Sequence, residues 1–232
     1  MEIQVNQITL SYEVRGQGTP LLLVHGNGED HTIFDRAVPV LAKSYRVYAP
    51  DSRCHGASED TKHISYDLMA EDLIAFIKKL RLEKPIFYGY SDGGIIGLLI
   101  AMQEPELLSQ LLISGANLTP GGLRWPTRLQ IRLAALLGGG KLWKLMDREP
   151  AISPSALQAI TVPVHVLAGE RDVVKPAHTR LIADSIQNST LRILPGETHG
   201  SYIVHSEKLC GVLGEYLKKA PGDNPNPEGR KM

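Results

Sequence analysis

Apolar and polar positions along the chain alternate between two patterns. Short runs of β-branched and apolar residues recur between longer stretches in which apolar residues return every three or four positions. This predicts an α/β fold, a mostly parallel sheet with helices on both faces. Parallel-type strands are expected at Leu21 to Val24, Tyr45 to Ala49, Pro85 to Tyr88, Leu108 to Ile113, Pro163 to Leu167 and Leu191 to Leu194. The opening differs: Glu2 to Val5 and Ile8 to Val14 flank the turn-like Asn6-Gln7 and read as an antiparallel hairpin at the sheet edge. The clearest helix runs from Tyr66 to Leu80, where Leu68, Leu73, Ile74, Ile77 and Leu80 form one face. Asp67, Glu71, Asp72, Lys78 and Lys79 are expected on the solvent side.

The alternation breaks from Asn117 to Pro154, where Thr119-Pro120-Gly121-Gly122, a helical stretch, the Gly138-Gly139-Gly140 breaker and a short helix near Leu142 to Met146 follow one another. Residues 1–219 therefore read as a single α/β domain with a short helical cap inserted at 117–154, over one end of the sheet. Leu118, Leu123, Trp125, Leu133 and Leu137 supply the cap's apolar content, most of it expected to pack the cap on the core. Beyond Ala220, PGDNPNPEGRKM has no apolar anchor except its final Met, which predicts a disordered tail over 220–232.

Charge removes several function classes. Lys and Arg together number 25, as do Asp and Glu, and the cations look scattered along the chain, so nucleic acid is not an expected partner. The first residues alternate polar and apolar without the basic and apolar blocks of a signal peptide. The most apolar run, Ile95 to Met102 with its flanks, is too short to span a membrane, so no membrane partner is expected. Cys54 and Cys210 alone exclude a disulfide framework, and the default compartment is the cytoplasm. A homo-oligomer is left open. The glycosylation-like triplets at Asn117 and Asn188 carry no weight without a secretory signal.

Gly89-Tyr90-Ser91-Asp92-Gly93 sits between the apolar strand PIFYGY and the apolar helix IIGLLIAM. A Gly-x-Ser-x-Gly in that context makes a sharp strand-to-helix turn that presents Ser91 Oγ at the carboxyl end of the sheet. A serine hydroxyl needs a base to remove its proton, and the base needs an acid to fix its tautomer. In this arrangement the acid follows the serine and the histidine follows the acid, each on a strand-end loop. Asp172, after VHVLAGER, and His199, after LRILPGET, meet both conditions. Glu170 shares the Asp172 loop but lies nearer the strand and reads as loop bracing. His165 lies inside a strand, His178 at a helix start and His205 within the last helix. A tetrahedral oxyanion needs two preorganised N–H donors. The amide of Asp92, at a helix N-terminus, is one candidate; the amide of Asn27, in His25-Gly26-Asn27-Gly28, is the other.

In their order along the chain, HGNG, the loop Asp51 to Ser58, GYSDGG, GERD and GETHG resemble the α/β-hydrolase superfamily, in its branch of small esterases, lactonases, proline iminopeptidases and valacyclovirase-like hydrolases. The resemblance runs from Ile8 to Leu217 and implies the same site residues. It also implies that Asp51 and Arg53 brace the loop beside the site. Cys54 stands where the family commonly has glycine, which argues against a left-handed backbone there. The cap is shorter than the family's full lid.

GGGK at Gly138 to Lys141 is not a phosphate loop, Gly26-Asn27-Gly28 does not continue as a dinucleotide fingerprint, and no zinc motif is present. Neither cofactor nor metal is expected. The sequence therefore predicts a serine hydrolase acting on a small-molecule ester, with Asp92, Leu118 and Trp125 as candidate substrate contacts. Lactone, thioester, carbon–carbon and peptide-bond hydrolysis and peracid formation use the same triad, and a receptor that turns over slowly is the reading from outside enzymology.

Overall fold

The computed structural model describes residues 1–217; the 220–232 segment lies outside the described residues. The strands are β1 (Glu2–Val5), β2 (Ile8–Arg15), β3 (Pro20–Val24), β4 (Arg46–Pro50), β5 (Ile86–Tyr90), β6 (Gln110–Ser114), β7 (Val164–Arg171) and β8 (Ser189–Thr198). They form one sheet in the order β1-β2-β4-β3-β5-β6-β7-β8. β1 with β2 and β2 with β4 are antiparallel, and every other neighbouring pair is parallel. The helices are α1 (Val38–Leu41), α2 (Tyr66–Lys79), α3 (Asp92–Gln103), α4 (Trp125–Leu136), α5 (Gly140–Arg148), α6 (Pro176–Asp184) and α7 (Lys208–Gly214).

Successive strand residues face opposite sides of a sheet, and that period divides the core in two. Leu22, Val24, Phe87, Leu111, Ile113, Val164 and Val166 pack with α2, α3 and α6 on one face. Leu21, Leu23, Tyr88, Leu112 and Leu167 pack with α1 and α7 on the other. The central helix α3 is buried at every position from Asp92 to Ala101, which is why its sequence is apolar all round.

Several local expectations are corrected. Asp72 is 1 % exposed and not on the solvent side of α2. Arg53 spans it, with Nε 2.6 Å from Oδ2 and Nη2 2.7 Å from Oδ1, and Asn6 Nδ2 donates to Oδ1 at 3.1 Å. These bonds satisfy a buried carboxylate that would otherwise be costly. Cys54 adopts the left-handed backbone that its side chain argued against, with φ 64°. Its sulfur lies 3.3 Å from Thr61 Oγ1 and accepts from Thr61 N–H at 3.4 Å, bonds that hold the turn. β7 and β8 run to Arg171 and Thr198, past the expected ends, with a register shift between Gly169 and Arg171. His205 precedes the last helix and pairs with Asp35 at 3.0 Å.

Between β6 and β7, α4 and α5 stand over the carboxyl ends of the strands. A small cluster of Leu123, Ile131 and Val174, with Trp143, Met146 and Val173 against it, holds them there. Arg124 N–H donates to Val173 O at 2.8 Å, and Arg124 Nε donates to Asp172 O at 2.8 Å.

Candidate active site

β5 ends at Tyr90 and α3 begins at Asp92, so Ser91 alone turns the chain. It does so at φ 53° and ψ −111°, a backbone that costs a non-glycine residue about 1–3 kcal/mol. The surroundings enforce it: Ser91 N–H donates to Ser114 O at 2.7 Å, and Gly94 and Ile95 N–H donate to Ser91 O at 2.9 and 3.1 Å. The flanking glycines are packing requirements. A Cβ on Gly89 would lie 2.1 Å from Gly93 O, and one on Gly93 would lie 2.2 Å from Val24 O.

The ends of β7 and β8 deliver the partners. Asp172 follows β7 directly and His199 follows β8 directly. His199 Nε2 lies 3.1 Å from Ser91 Oγ, and His199 Nδ1 lies 2.7 Å from Asp172 Oδ1. The Asp172 side chain is 3 % exposed and that of His199 is 21 % exposed. Since a carboxylate only accepts, Nδ1 carries the proton and Nε2 is left to accept from Ser91. Val174 N–H also donates to Asp172 Oδ1, at 2.9 Å. Glu170 accepts from Gly196 N–H at 2.8 Å and braces the β8 end instead.

Asn27 and Asp92 are brought together on the other side of Ser91. Asn27 Nδ2 donates to Asp92 Oδ2 at 2.8 Å, and Tyr66 Oη donates to Asp92 Oδ1 at 2.8 Å. Gly93 N–H donates to His25 O at 3.1 Å, tying the elbow to the same loop. Among the described residues the amides of Asn27 and Asp92 have no acceptor. Burial raises the Asp92 pKa, opposed by the bonds from Asn27 and Tyr66. Burial, and then the Asp92 carboxylate, push the Tyr66 phenol well above its ordinary value, so it remains a donor.

Behind the loop, His25 is held in one tautomer. Its Nε2 accepts from Ser52 N–H at 3.0 Å, so Nδ1 bears the proton and donates to Gly26 O at 2.7 Å. Burial first, and then the neighbouring His55, lower its pKa to about 4. Asp30, His31 and Asp51 are the His and carboxylate side chains near enough to share a cation among the described residues. Asp51 Oδ1 accepts from His31 N–H and Oδ2 from Ala57 N–H, so the group reads as a hydrogen-bonded brace.

Ser91 and His199 open into a cavity of about 280 Å³ between the sheet and the cap. Its apolar wall is Leu123, Ile131, Trp143, Met146 and Val173. Leu118 and Trp125, the expected contacts, are not on it. Leu118 is 1 % exposed within the main core, and Trp125 is 74 % exposed on the outer side of α4. Trp143 takes the aromatic place on the cavity, and its position within the short apolar helix after the glycine breaker was the available signal. Glu29, Tyr66 and Glu149 also line the cavity. Only the fold exposes them as site residues, because each comes from a different connection. Glu29 accepts from Gly26 N–H at 3.1 Å, and burial raises its pKa.

A serine at a strand-to-helix elbow, with an aspartate and a histidine at the ends of two further strands of a parallel sheet, defines a class of enzymes, the nucleophile-elbow hydrolases. The family model for the α/β hydrolase fold matches residues 19–132. The chain is 24 % identical over 255 residues to the 2-hydroxymuconate semialdehyde hydrolase of Pseudomonas sp. (strain CF600), covering 88 % of this chain and 89 % of that protein. It is likewise 24 % identical over 249 residues to the serine hydrolase BPHL of Homo sapiens, covering 94 % and 86 %. Among solved structures, Est816, described as an N-acyl homoserine lactone degrading enzyme, matches with a TM-score of 0.79 at 20 % identity, over 94 % of this chain and 100 % of that one. The chain has the α/β-hydrolase fold, and these relatives, which it matches over most of its length, are hydrolases.

Proposed function

We propose that the protein is a serine hydrolase that cleaves small carboxylic esters through an acyl-enzyme. One observation carries the reading: the continuous relay from Ser91 Oγ through both nitrogens of His199 to Asp172. In this mechanism His199 Nε2 takes the hydroxyl proton as Ser91 Oγ bonds to the ester carbonyl carbon. Asp172 holds the ring and stabilises the imidazolium. The oxyanion accepts from the amides of Asn27 and Asp92, at the positive end of α3. His199 then gives its proton to the leaving alkoxide. Water, activated in the same way, releases the acid and restores Ser91.

The carboxylates and imidazole on the cavity are Glu29, Asp92, Glu149 and His199, and among the described residues no Lys or Arg lines it. This favours uncharged or cationic esters over anionic ones, and the cavity's volume favours short acyl groups. Both oxygens of Asp92 are occupied by Asn27 and Tyr66, so its side chain is assigned to holding the oxyanion loop and not to binding substrate. A cytoplasmic location is part of the proposal and rests on the unpaired cysteines.

The test is labelling with a fluorophosphonate followed by a panel of p-nitrophenyl esters of rising chain length. Wild type should label and prefer short esters. Ser91→Ala should lose the label and at least about 10³-fold of turnover with its melting temperature kept. A labelled alanine variant would remove Ser91 from its role. Labelling without ester turnover would reject the substrate class alone.

A further inference from the structure

The outward face of α4 is apolar. Trp125 is 74 % exposed, Leu129 46 %, Leu133 48 %, Leu136 72 % and the following Leu137 84 %. Trp125, Leu129, Leu133 and Leu136 recur at four- and three-residue spacing, so they share one arc of the helix. Ile131 and Ala135 occupy the arc that is buried. Scattered exposed leucines are ordinary, but a contiguous stripe marks an interaction surface.

The border of the stripe is basic. From Leu107 to Met146 the chain holds Arg124, Arg128, Arg132, Lys141 and Lys144 and neither Asp nor Glu, although acids and bases balance over the whole sequence. The segment carries cations at about the density of the whole sequence, five of 25 in 40 of 232 residues, and stands apart by its lack of acids. Arg132 and Lys144 are exposed and have no ion-pair partner among the described residues.

We propose that this face docks on an anionic lipid surface, with α4 lying in the interface plane and its tryptophan and leucines in the boundary between headgroups and acyl chains. A helix with an apolar face and a basic border binds there without spanning the bilayer, so the lack of a long apolar stretch is no obstacle. Charge selects this occupant. Arg128 and Lys141 are already paired with Asp147 and Asp60, whereas two copies meeting through the stripe would set the unpaired Arg132 and Lys144 against themselves across a two-fold axis. The chain beyond residue 217 brings Lys218, Lys219, Arg230 and Lys231 against Asp223 and Glu228, so it is net basic, with only Ala220 and Met232 as clearly apolar side chains. It complements neither the charge nor the stripe. Thr127, Gln130 and Ile131, on the inward side of the same helix, line the reaction cavity, so docking would hold the cavity one helix diameter, ~10 Å, from the lipid surface. Given the proposed esterase activity, the substrates selected are uncharged esters that partition into the bilayer.

The experiment is flotation of the full chain with phosphatidylcholine vesicles, with and without an anionic fraction of phosphatidylglycerol, alongside turnover of p-nitrophenyl acetate in solution. Wild type should float with anionic vesicles only. Leu129→Glu with Leu136→Glu should reduce partitioning at least about tenfold, and Arg132→Gln and Lys144→Gln roughly fivefold each. All these variants should hydrolyse the soluble ester as wild type does, which separates failure of docking from failure of the esterase reading. No flotation of wild type, or flotation of the leucine double variant at wild-type level, would overturn the proposal. So would a dimer in sedimentation velocity that the leucine substitutions convert to monomer, because the stripe's occupant would then be a second copy.

Discussion

The strand-end site and the cap above it are built on opposite principles. At the strand ends the functional groups are held several times over: Ser91 by three backbone hydrogen bonds, Asp92 by Asn27 and Tyr66, His25 by Ser52 and Gly26. Most of these groups are buried, where an unpaired polar atom is costly, so each bond restricts the next. The cap rests on Leu118, Leu145 and Ile152 in the main core, on the small cluster around Ile131 and on a few bonds, and much of the apolar surface of α4 faces solvent. Chemistry that depends on tenths of an ångström sits on the sheet, while the element that meets the substrate's surroundings is lightly attached.

The largest effect that would break this comparison lies at the strand ends. Asp172→Asn keeps the shape but donates where the carboxylate accepted, which favours the wrong tautomer of His199, and kcat should fall about 10⁴-fold. Glu170→Gln should change kcat little, since Glu170 braces Gly196 from an exposed position. Steady-state kinetics of the two variants decide the matter. Equal losses would mean that bracing and tautomer control cannot be separated, and the assignment of Asp172 would fail.

A second, intermediate effect uses acidity. In the unfolded chain His25 titrates at its ordinary value of 6.5, whereas in the folded protein it stays neutral down to about 4. Between those values the unfolded chain binds more protons, so stability is full above about pH 6.5 and is lost as pH falls, by up to about 3 kcal/mol. Asp92 and Glu29, raised by burial, act in the opposite sense; His165 and His178, lowered by burial, act in the same sense. All four remain in His25→Asn, so the difference between the two proteins isolates His25. The cap segment 117–154 holds no histidine and takes no part. Urea melts from pH 7 to pH 4.5 should give a shallower slope for the variant. Parallel slopes would show that the loop behind the Asn27 and Asp92 amides is not locked through His25.

This contrast also explains what the sequence made legible. The elbow could be read because Gly89 and Gly93 are required by local close contacts, and because strand ends bring Asp172 and His199 to one edge of any sheet of this topology. Asp72 could not: its partner Arg53 lies nineteen residues away on another connection, and a charge in a helical repeat reads as solvent-facing until that partner is placed. Cap residues failed for a related reason. Periodicity reports that α4 has apolar arcs but not what each arc meets, so Trp125 was expected on the cavity that Trp143 occupies. Glu29 and Glu149 carry no motif and become site residues only through the packing of the cap against the loop after β3.

The smallest effect tests the cap itself, by comparing two arcs of one helix. Leu129 and Leu136 are exposed, and Leu and Glu have nearly equal helix propensity. Changing Leu136 to Glu therefore removes little buried area and should alter stability by no more than about 0.5 kcal/mol, and Leu129→Glu, which uncovers about half a side chain, by about 1 kcal/mol. Ile131, 4 % exposed in the cluster with Leu123 and Val174 and on the wall of the cavity, lies on the other arc. Ile131→Ala should cost about 2–5 kcal/mol if the cap unfolds together with the sheet. If instead the cap opens by itself, global unfolding measured by far-ultraviolet dichroism will barely change. Amide exchange in α4 and α5 will then quicken while β5 to β8 stay protected. The second outcome would sharpen the comparison, making the cap a separate and less stable unit above a rigid site. A strong loss of stability from the leucine pair would break it, because the stripe would then be supporting the fold and could not be free to dock.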